Sequence, residues 1–187
     1  MKGNAMSKRA LVIVDLQHDY LSSGKFPLVG IEQVVANAAS TLADARFKHI
    51  PVFHIRHEFT QSDAPFFAPG STGAQIISAV APRAGESNIL KHHPNAFLHT
   101  DLQAELEAQG ITDITVIGAM SHMCIDATVR AAADLGYKVT VLHDACATRD
   151  LEFKGQTTPA SQVQTAMMAA LAFAYATVMG TSEYLQA

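Results

Sequence analysis

Residues 114–136 read ITVIGAMSHMCIDATVRAAADLG. Ile114, Thr115, Val116 and Ile117 form an apolar, β-branched run of strand length, the pattern of a strand buried on both faces. Gly118 and Ala119 end the run with small residues. Apolar positions at Ile125, Val129, Ala132 and Ala133 then recur at helical spacing, and Gly136 supplies a C-terminal stop. Cys124 therefore lies where a buried strand hands over to a helix. In an open α/β fold that place is the C-terminal edge of a parallel sheet, where ligands bind. It is also the positive end of a helix dipole, which favours a thiolate. Cys124 is the candidate nucleophile.

Upstream, residues 10–14 (ALVIV) are a continuous apolar strand, followed at once by Asp15 and then by Gln17 and Asp19. Residues 31–47 carry apolar side chains at amphipathic-helix spacing. A second strand over 51–55 (PVFHI) ends in Arg56-His57-Glu58. Residues 60–73, with Pro65, Phe66, Phe67, Pro69 and Gly70, form a long irregular segment, the kind that serves as a lid. A short helix is predicted over 74–80, a third strand over 88–91 ending on Lys91, and a turn over 92–97. A helix over 101–109 follows, N-capped by Thr100 with Gln103 three positions on. Downstream of the Cys124 helix, residues 138–143 (KVTVLH) make a fifth strand ending at Asp144. A polar loop covers 148–159, a helix 160–173, a last strand 177–179, and Thr181 or Ser182 caps a final turn.

Strands and helices alternate throughout. That is the signature of a three-layer α/β fold, a six-stranded parallel sheet with helices on both faces. The strand order 3-2-1-4-5-6 puts the ends of strands one and four side by side at the topological switch point. No repeat or linker divides the chain, so residues 1–187 are expected to be a single domain, with 1–8 a flexible tail and Met6 an alternative start. Two cysteines do not make a disulfide framework and suit a reducing cytoplasm. A net charge of −4 without a basic run argues against nucleic acid as a partner. No apolar run approaches a membrane span, and the polar N-terminus has no signal-peptide core. A cytoplasmic location follows as the expectation.

Three groups now share one sheet edge: Asp15 after the first strand, Lys91 after the third and Cys124 after the fourth. Each is the first polar group after an apolar run. A cation beside Cys124 lowers its pKa, and Lys91 can supply it. Asp15 can take the thiol proton and later deliver it to a leaving amine, and backbone amides between Ala119 and Cys124 can hold an oxyanion. Singly these residues have blander explanations: a buried cysteine is more often a core residue, an aspartate often a cap, a lysine often a solvated charge. Cys146, in DACATRD with no cation in view, is structural. The histidines show neither HxH nor HExxH spacing, so no metal is expected. His54 reads as a core residue, and adjacent His92 and His93 point apart. His122 lies only two positions from the thiol, but at that spacing it faces away more often than not.

The segments ALVIVDLQHDY, KHHPNAF, GAMSHMCIDATVRAAADLGYKVTV and HDACATRD together resemble the isochorismatase-like cysteine hydrolases, a family that includes nicotinamidases and carbamoylsarcosine amidohydrolases. The resemblance runs over nearly the whole chain. It implies a triad of Asp15, Lys91 and Cys124, a cis peptide just before Met120, and an oxyanion hole from the amides of Met120 and Cys124. Metal-binding nicotinamidases carry Asp-x-His after the second strand, where this chain reads His57-Glu58-Phe59; neither a metal nor another cofactor is expected. The true isochorismatases cleave a vinyl ether and lack the cysteine, so its presence favours cleavage of a small-molecule amide through a thioester. Vinyl-ether hydrolysis without the thiol, and a redox-sensing binding protein on the same fold, are the alternatives. Gln17, Phe66, Phe67, Asn95 and Phe97 are the candidate substrate pocket, with core packing the alternative for Phe97. The family's habit of assembly makes a homo-oligomer, a dimer or larger, the expectation. The Ala- and Met-rich last long helix either supplies that interface or packs on the sheet.

Overall fold

Apolar runs of strand length pair side by side because each is hydrophobic on both faces and can be covered only by helices above and below. In the computed structural model, which describes residues 8–187, they are β1 (Arg9–Val14), β2 (Val52–His57), β3 (Ser87–Lys91), β4 (Asp113–Ala119), β5 (Lys138–Ala147) and β8 (Thr177–Met179). Every pairing is parallel, in the order β3-β2-β1-β4-β5-β8. This is the predicted arrangement; the last sheet strand is the eighth because a hairpin precedes it. That hairpin, β6 (Leu151–Phe153) and β7 (Gln156–Thr158), is antiparallel and occupies the segment expected to be loop.

β1 shows why the sheet is central. Leu11 and Ile13 point into one core and Ala10, Val12 and Val14 into the other, all buried. On the first face lies α1 (Ile31–Phe47), with Val34, Ala38, Leu42 and Ala45 against the sheet, and Tyr184 of α5 (Thr181–Gln186) packs beside it. On the second face lie α2 (Leu102–Ala108), α3 (Asp126–Asp134) and α4 (Ala160–Ala174), contributing Leu106, Val129 and Leu171 among others. Each such buried aliphatic side chain stabilises the fold by about 1.5–3 kcal/mol.

Local departures from the sequence reading have local causes. Residues 74–80 are not a helix but two 3-10 turns, Thr72–Ala74 and Ser78–Val80. Between them the backbone bonds to the continuation of β1, with Ile77 N donating to Leu16 O (2.9 Å) and His18 N to Gln75 O (3.0 Å). A seven-residue helix is marginal in water, and this pairing outcompetes it. The cap position of α2 is Asp101, while Thr100 Oγ1 accepts from Leu102 N (3.4 Å) and donates to Ala96 O; the predicted return bond is missing, since Gln103 bonds Glu107. Gly180, not Thr181 or Ser182, occupies the cap position of α5. β5 runs four residues past His143 because its register against β4 shifts, from Val116 opposite Val141 to Gly118 opposite Cys146. Lys8 is not loose, since its carbonyl accepts from Thr112 N and Asp113 N. The remainder of the expected tail, with Met6, lies outside the described residues.

Candidate active site

Asp15 directly follows β1, and its backbone turns into the left-handed region at φ 53°. That is an uncommon and strained conformation for a residue with a side chain. It aims the carboxylate inward, where the residue is fully buried. Lys91 closes β3 with its stem buried beneath the sheet edge. Cys124 lies in a single π-helical turn, Ser121–Ile125, between β4 and α3, and is 6% exposed. Such widened turns recur at functional sites. The peptide bond between Ala119 and Met120 is cis, and the Met120 carbonyl accepts from Met123 N (3.0 Å) and Ile125 N (3.1 Å).

The three groups meet. Lys91 Nζ lies 2.7 Å from Asp15 Oδ2 and 3.2 Å from Cys124 Sγ. The Asp15 carboxylate is also beside the thiol. Apart from the ion pair, neither Asp15 oxygen receives a well-aligned hydrogen bond among the described residues. Burial pushes the Asp15 carboxyl above the usual carboxylate range, against the pull of Lys91. Burial alone would lower Lys91, but the attraction of Asp15 and then Cys124 outweighs it and holds the ammonium charged. The thiol does not follow the sequence expectation. Burial, reinforced by the Asp15 charge, pushes it up to about 12, and Lys91 only opposes this in part. The 2.7 Å ion pair sets the Asp15 carboxylate against the Lys91 ammonium, and burial holds the thiol neutral beside them. Cys146 is also raised to about 12 by burial, and it lies inside β5 opposite Gly118, where it packs into the core.

A further group belongs here. His57, the last residue of β2, lies in register beside Lys91, and its Nδ1 is 3.1 Å from Nζ. Gln17 holds the backbone of His57 at both ends: Oε1 accepts from His57 N (2.8 Å) and Nε2 donates to His57 O (2.7 Å). Nε2 also donates to Ala74 O (2.8 Å). With its amide saturated and fully buried, Gln17 is a strut behind the site and not part of a substrate pocket.

The other pocket candidates separate in the same way. Phe67 is wholly buried at φ 50°, with its N–H donated to Asp19 Oδ2 (2.7 Å) and its ring against Tyr20. It is core. Phe66 stacks on Phe26 at 4.2 Å, so the predicted lid is a docked aromatic layer. Asn95 spends its Oδ1 on Phe97 N (2.9 Å) in a turn, and Phe97 stacks on Tyr137, at the end of the sheet opposite Cys124. Ordinary packing accounts for both.

The opening next to the Cys124 turn is instead a cleft of about 420 Å³ whose wall includes Phe26, Met120, His122 and Arg149 together with the acidic Asp150 and Glu152. The Arg149 guanidinium lies 4.0 Å from the centre of the Phe26 ring, a cation–π contact. Sequence reasoning passed over Arg149, although a cation just after β5, at the same sheet edge, was the available signal. A larger hollow of about 600 Å³, with Arg9, Lys138 and Tyr184 in its wall, is at the opposite edge, away from all the groups above.

His122 turns from the thiol to Thr148 Oγ1 (2.6 Å). His92 bonds Glu58 O, while the His93 ring packs on His99. Among the described residues, no group of three or more His, Cys, Asp and Glu side chains converges to hold a metal ion, and no helix is long and apolar enough to cross a membrane.

The isochorismatase domain family matches residues 9–183. The crystal structure of an isochorismatase hydrolase from Oleispira antarctica superposes with a TM-score of 0.94 at 50% identity, covering 97% of this chain and 98% of that one. An isochorismatase family protein of Bacillus subtilis, YddQ, is 44% identical over 95% of this chain and 98% of its own length. More distantly, Nicotinamidase 3 of Arabidopsis thaliana is 28% identical over 74% of this chain and 73% of its own.

Proposed function

Because this chain belongs to the isochorismatase family of hydrolases, we propose that it cleaves the C–N bond of a small amide through a thioester on Cys124. One observation carries the reading: a single buried ammonium, Lys91, touches both a thiol at 3.2 Å and a carboxylate at 2.7 Å. Asp15 takes the thiol proton as Sγ bonds to the carbonyl carbon. The carbonyl π electrons move to oxygen, and the backbone N–H groups of Met120 and Cys124 receive the oxyanion. The C–N bond breaks as Asp15 returns the proton to nitrogen, and the amine or ammonia leaves. Water, deprotonated by Asp15, then adds to the thioester and frees the acid and the thiol. Every proton is handled by the chain's own groups, so the reaction needs no cofactor. A relative named as a nicotinamidase agrees with amide cleavage.

The test is an amide-substrate screen with the intact protein and with Cys124→Ala. A drop in turnover of at least about a thousandfold, with circular dichroism unchanged, is expected from loss of a covalent nucleophile. Retained amide turnover would remove the thioester mechanism, and turnover of a vinyl-ether substrate that survives Cys124→Ala would point to thiol-independent hydrolysis. A covalently reactive Cys124 with no acyl transfer to water would point to a binding or redox role.

A further inference from the structure

An ammonium has three N–H donors, and a buried one must place all three. For Lys91, Asp15 Oδ2 at 2.7 Å and Cys124 Sγ at 3.2 Å take two. The third neighbour is His57 Nδ1 at 3.1 Å. A charged lysine can only donate there, so Nδ1 must be the lone-pair nitrogen and the imidazole proton must reside on Nε2. That nitrogen is buried and has no hydrogen-bond partner among the described residues. An orphaned buried N–H opposes folding. The ring's neighbours are Phe59, 4.9 Å away edge-on, and Phe67 at 6.2 Å. Such surroundings would accept an apolar ring without that cost. The feature of histidine that they use is the Nδ1 acceptor.

We propose that His57 is a positioning residue: its Nδ1 takes the third N–H of Lys91 and thereby fixes the ammonium between Asp15 and Cys124. Three placements support this. His57 and Lys91 are register partners on β2 and β3, so the contact is set by the sheet and not by a loop. Gln17 holds the His57 backbone from both sides independently of the imidazole. The lysine stem must also pass the end of β2 to reach Asp15 and Cys124, which follow β1 and β4, so a guide at that crossing governs where Nζ comes to rest. The inference rests on the reading of Cys124 as a reactive thiol.

The test measures alkylation of Cys124 by iodoacetamide between pH 7 and 10 in the full chain, with peptide mass spectrometry separating it from Cys146. Wild type is compared with His57→Phe, which keeps a ring but no acceptor, and with His57→Asn, whose short amide restores an acceptor near the Nδ1 position. Cys124 alkylation is expected to be about tenfold slower in His57→Phe at each pH. His57→Asn is expected to stay within about threefold of wild type. Rescue by Asn is the result that a merely space-filling histidine would not produce. Wild-type rates in a folded His57→Phe would overturn the inference, and so would equal slowing in both variants. If His57→Phe does not fold, His57→Leu takes its place with the same expectation. Wild-type Cys124 labelling no faster than Cys146 would remove the nucleophile reading itself, an outcome distinct from unaffected variants.

Discussion

Deprotonating Cys124 to solvent would leave two buried anions against the one cation of Lys91, which is why burial and Asp15 together push the thiol up. Passing the proton to Asp15 avoids this. Carboxylate–ammonium–thiol and acid–ammonium–thiolate carry the same net charge, so the group titrates as one unit. The raised thiol pKa therefore opposes loss of a proton from the site, not its movement within it. A pH dependence follows with a definite sign. Turnover needs Asp15 unprotonated, and the Asp15 carboxyl is raised above its ordinary 3.8. As pH falls through that raised value the site gains a proton, keeps its thiol and loses its base. We expect kcat/KM to fall on an acid limb that is displaced upward from where an exposed aspartate would place it. His57, held down to about 3 by burial and then by Lys91, adds no limb. A limb near pH 6.5 that vanishes in His57→Asn would contradict this assignment. At this scale Asp15 and Lys91 were legible as the first polar groups after apolar runs, and Cys124 as the thiol in the turn that joins a buried strand to a helix. His57 was not, because its role depends on which residue of β3 it faces, and that register is not written in either strand alone. The expected low thiol pKa failed because a helix-entry position does not reveal how completely water is excluded.

The junction of β1 and β4 is where an element rather than a residue does the positioning. Gly118, at φ 132°, pairs with Val14, and a Cβ there would overlap the Val14 carbonyl oxygen. The close approach brings the start of the Cys124 turn against the strand that ends in Asp15. Gly118→Ala must either push β1 and β4 apart or strain the backbone. Overpacking and a left-handed non-glycine residue each cost about 1–3 kcal/mol, so a loss of roughly 3 kcal/mol or more is expected in denaturant melts. Turnover should fall further than the folded fraction does. Turnover that tracks the folded fraction alone would mean that the strand spacing does not set the site. The small pair Gly118-Ala119 was visible in the sequence as a strand end. The shift of β5 opposite it was not, because KVTVLHDACA gives no local mark of where pairing slips. The segment at 74–80 shows the same limit: its apolar pattern suits a helix, and long-range bonds to Leu16 and His18 decide otherwise.

Across the whole molecule, the parallel order and the two helical layers were legible, since alternation of strand and helix admits few topologies. What remained hidden were the polar ties that clamp the layers, because they join side chains distant in sequence. One such tie lies away from the active site. Glu86 receives Arg46 of α1 through both carboxylate oxygens (2.7 and 2.8 Å), Arg83 N (2.8 Å) and His54 of β2 (2.9 Å). Hydrogen bonding from Arg46 is the main cause that lowers Glu86 from 4.5 to about 2. Burial first of all lowers His54 from 6.5, so the ring stays neutral and donates Nε2–H to Glu86. Both shifts have the same consequence. Below 6.5 the unfolded chain takes up a proton at His54 that the native protein resists. Below 4.5 it takes up one at Glu86, and the stability that the carboxylate contributes is lost as pH falls toward 2. Melting temperature should therefore decline in two stages on acidification. Glu86→Gln should lower stability by on the order of 2 kcal/mol at neutral pH, the range for hydrogen bonds to charged groups, and should flatten the stage below 4.5. Thermal melts from pH 3 to 8 check both points. A mutant curve parallel to wild type below pH 4.5 would mean that the clamp is not what fails in acid. The acid limb of turnover belongs to Asp15 and not to this clamp, so it should persist unchanged in Glu86→Gln wherever that variant is folded.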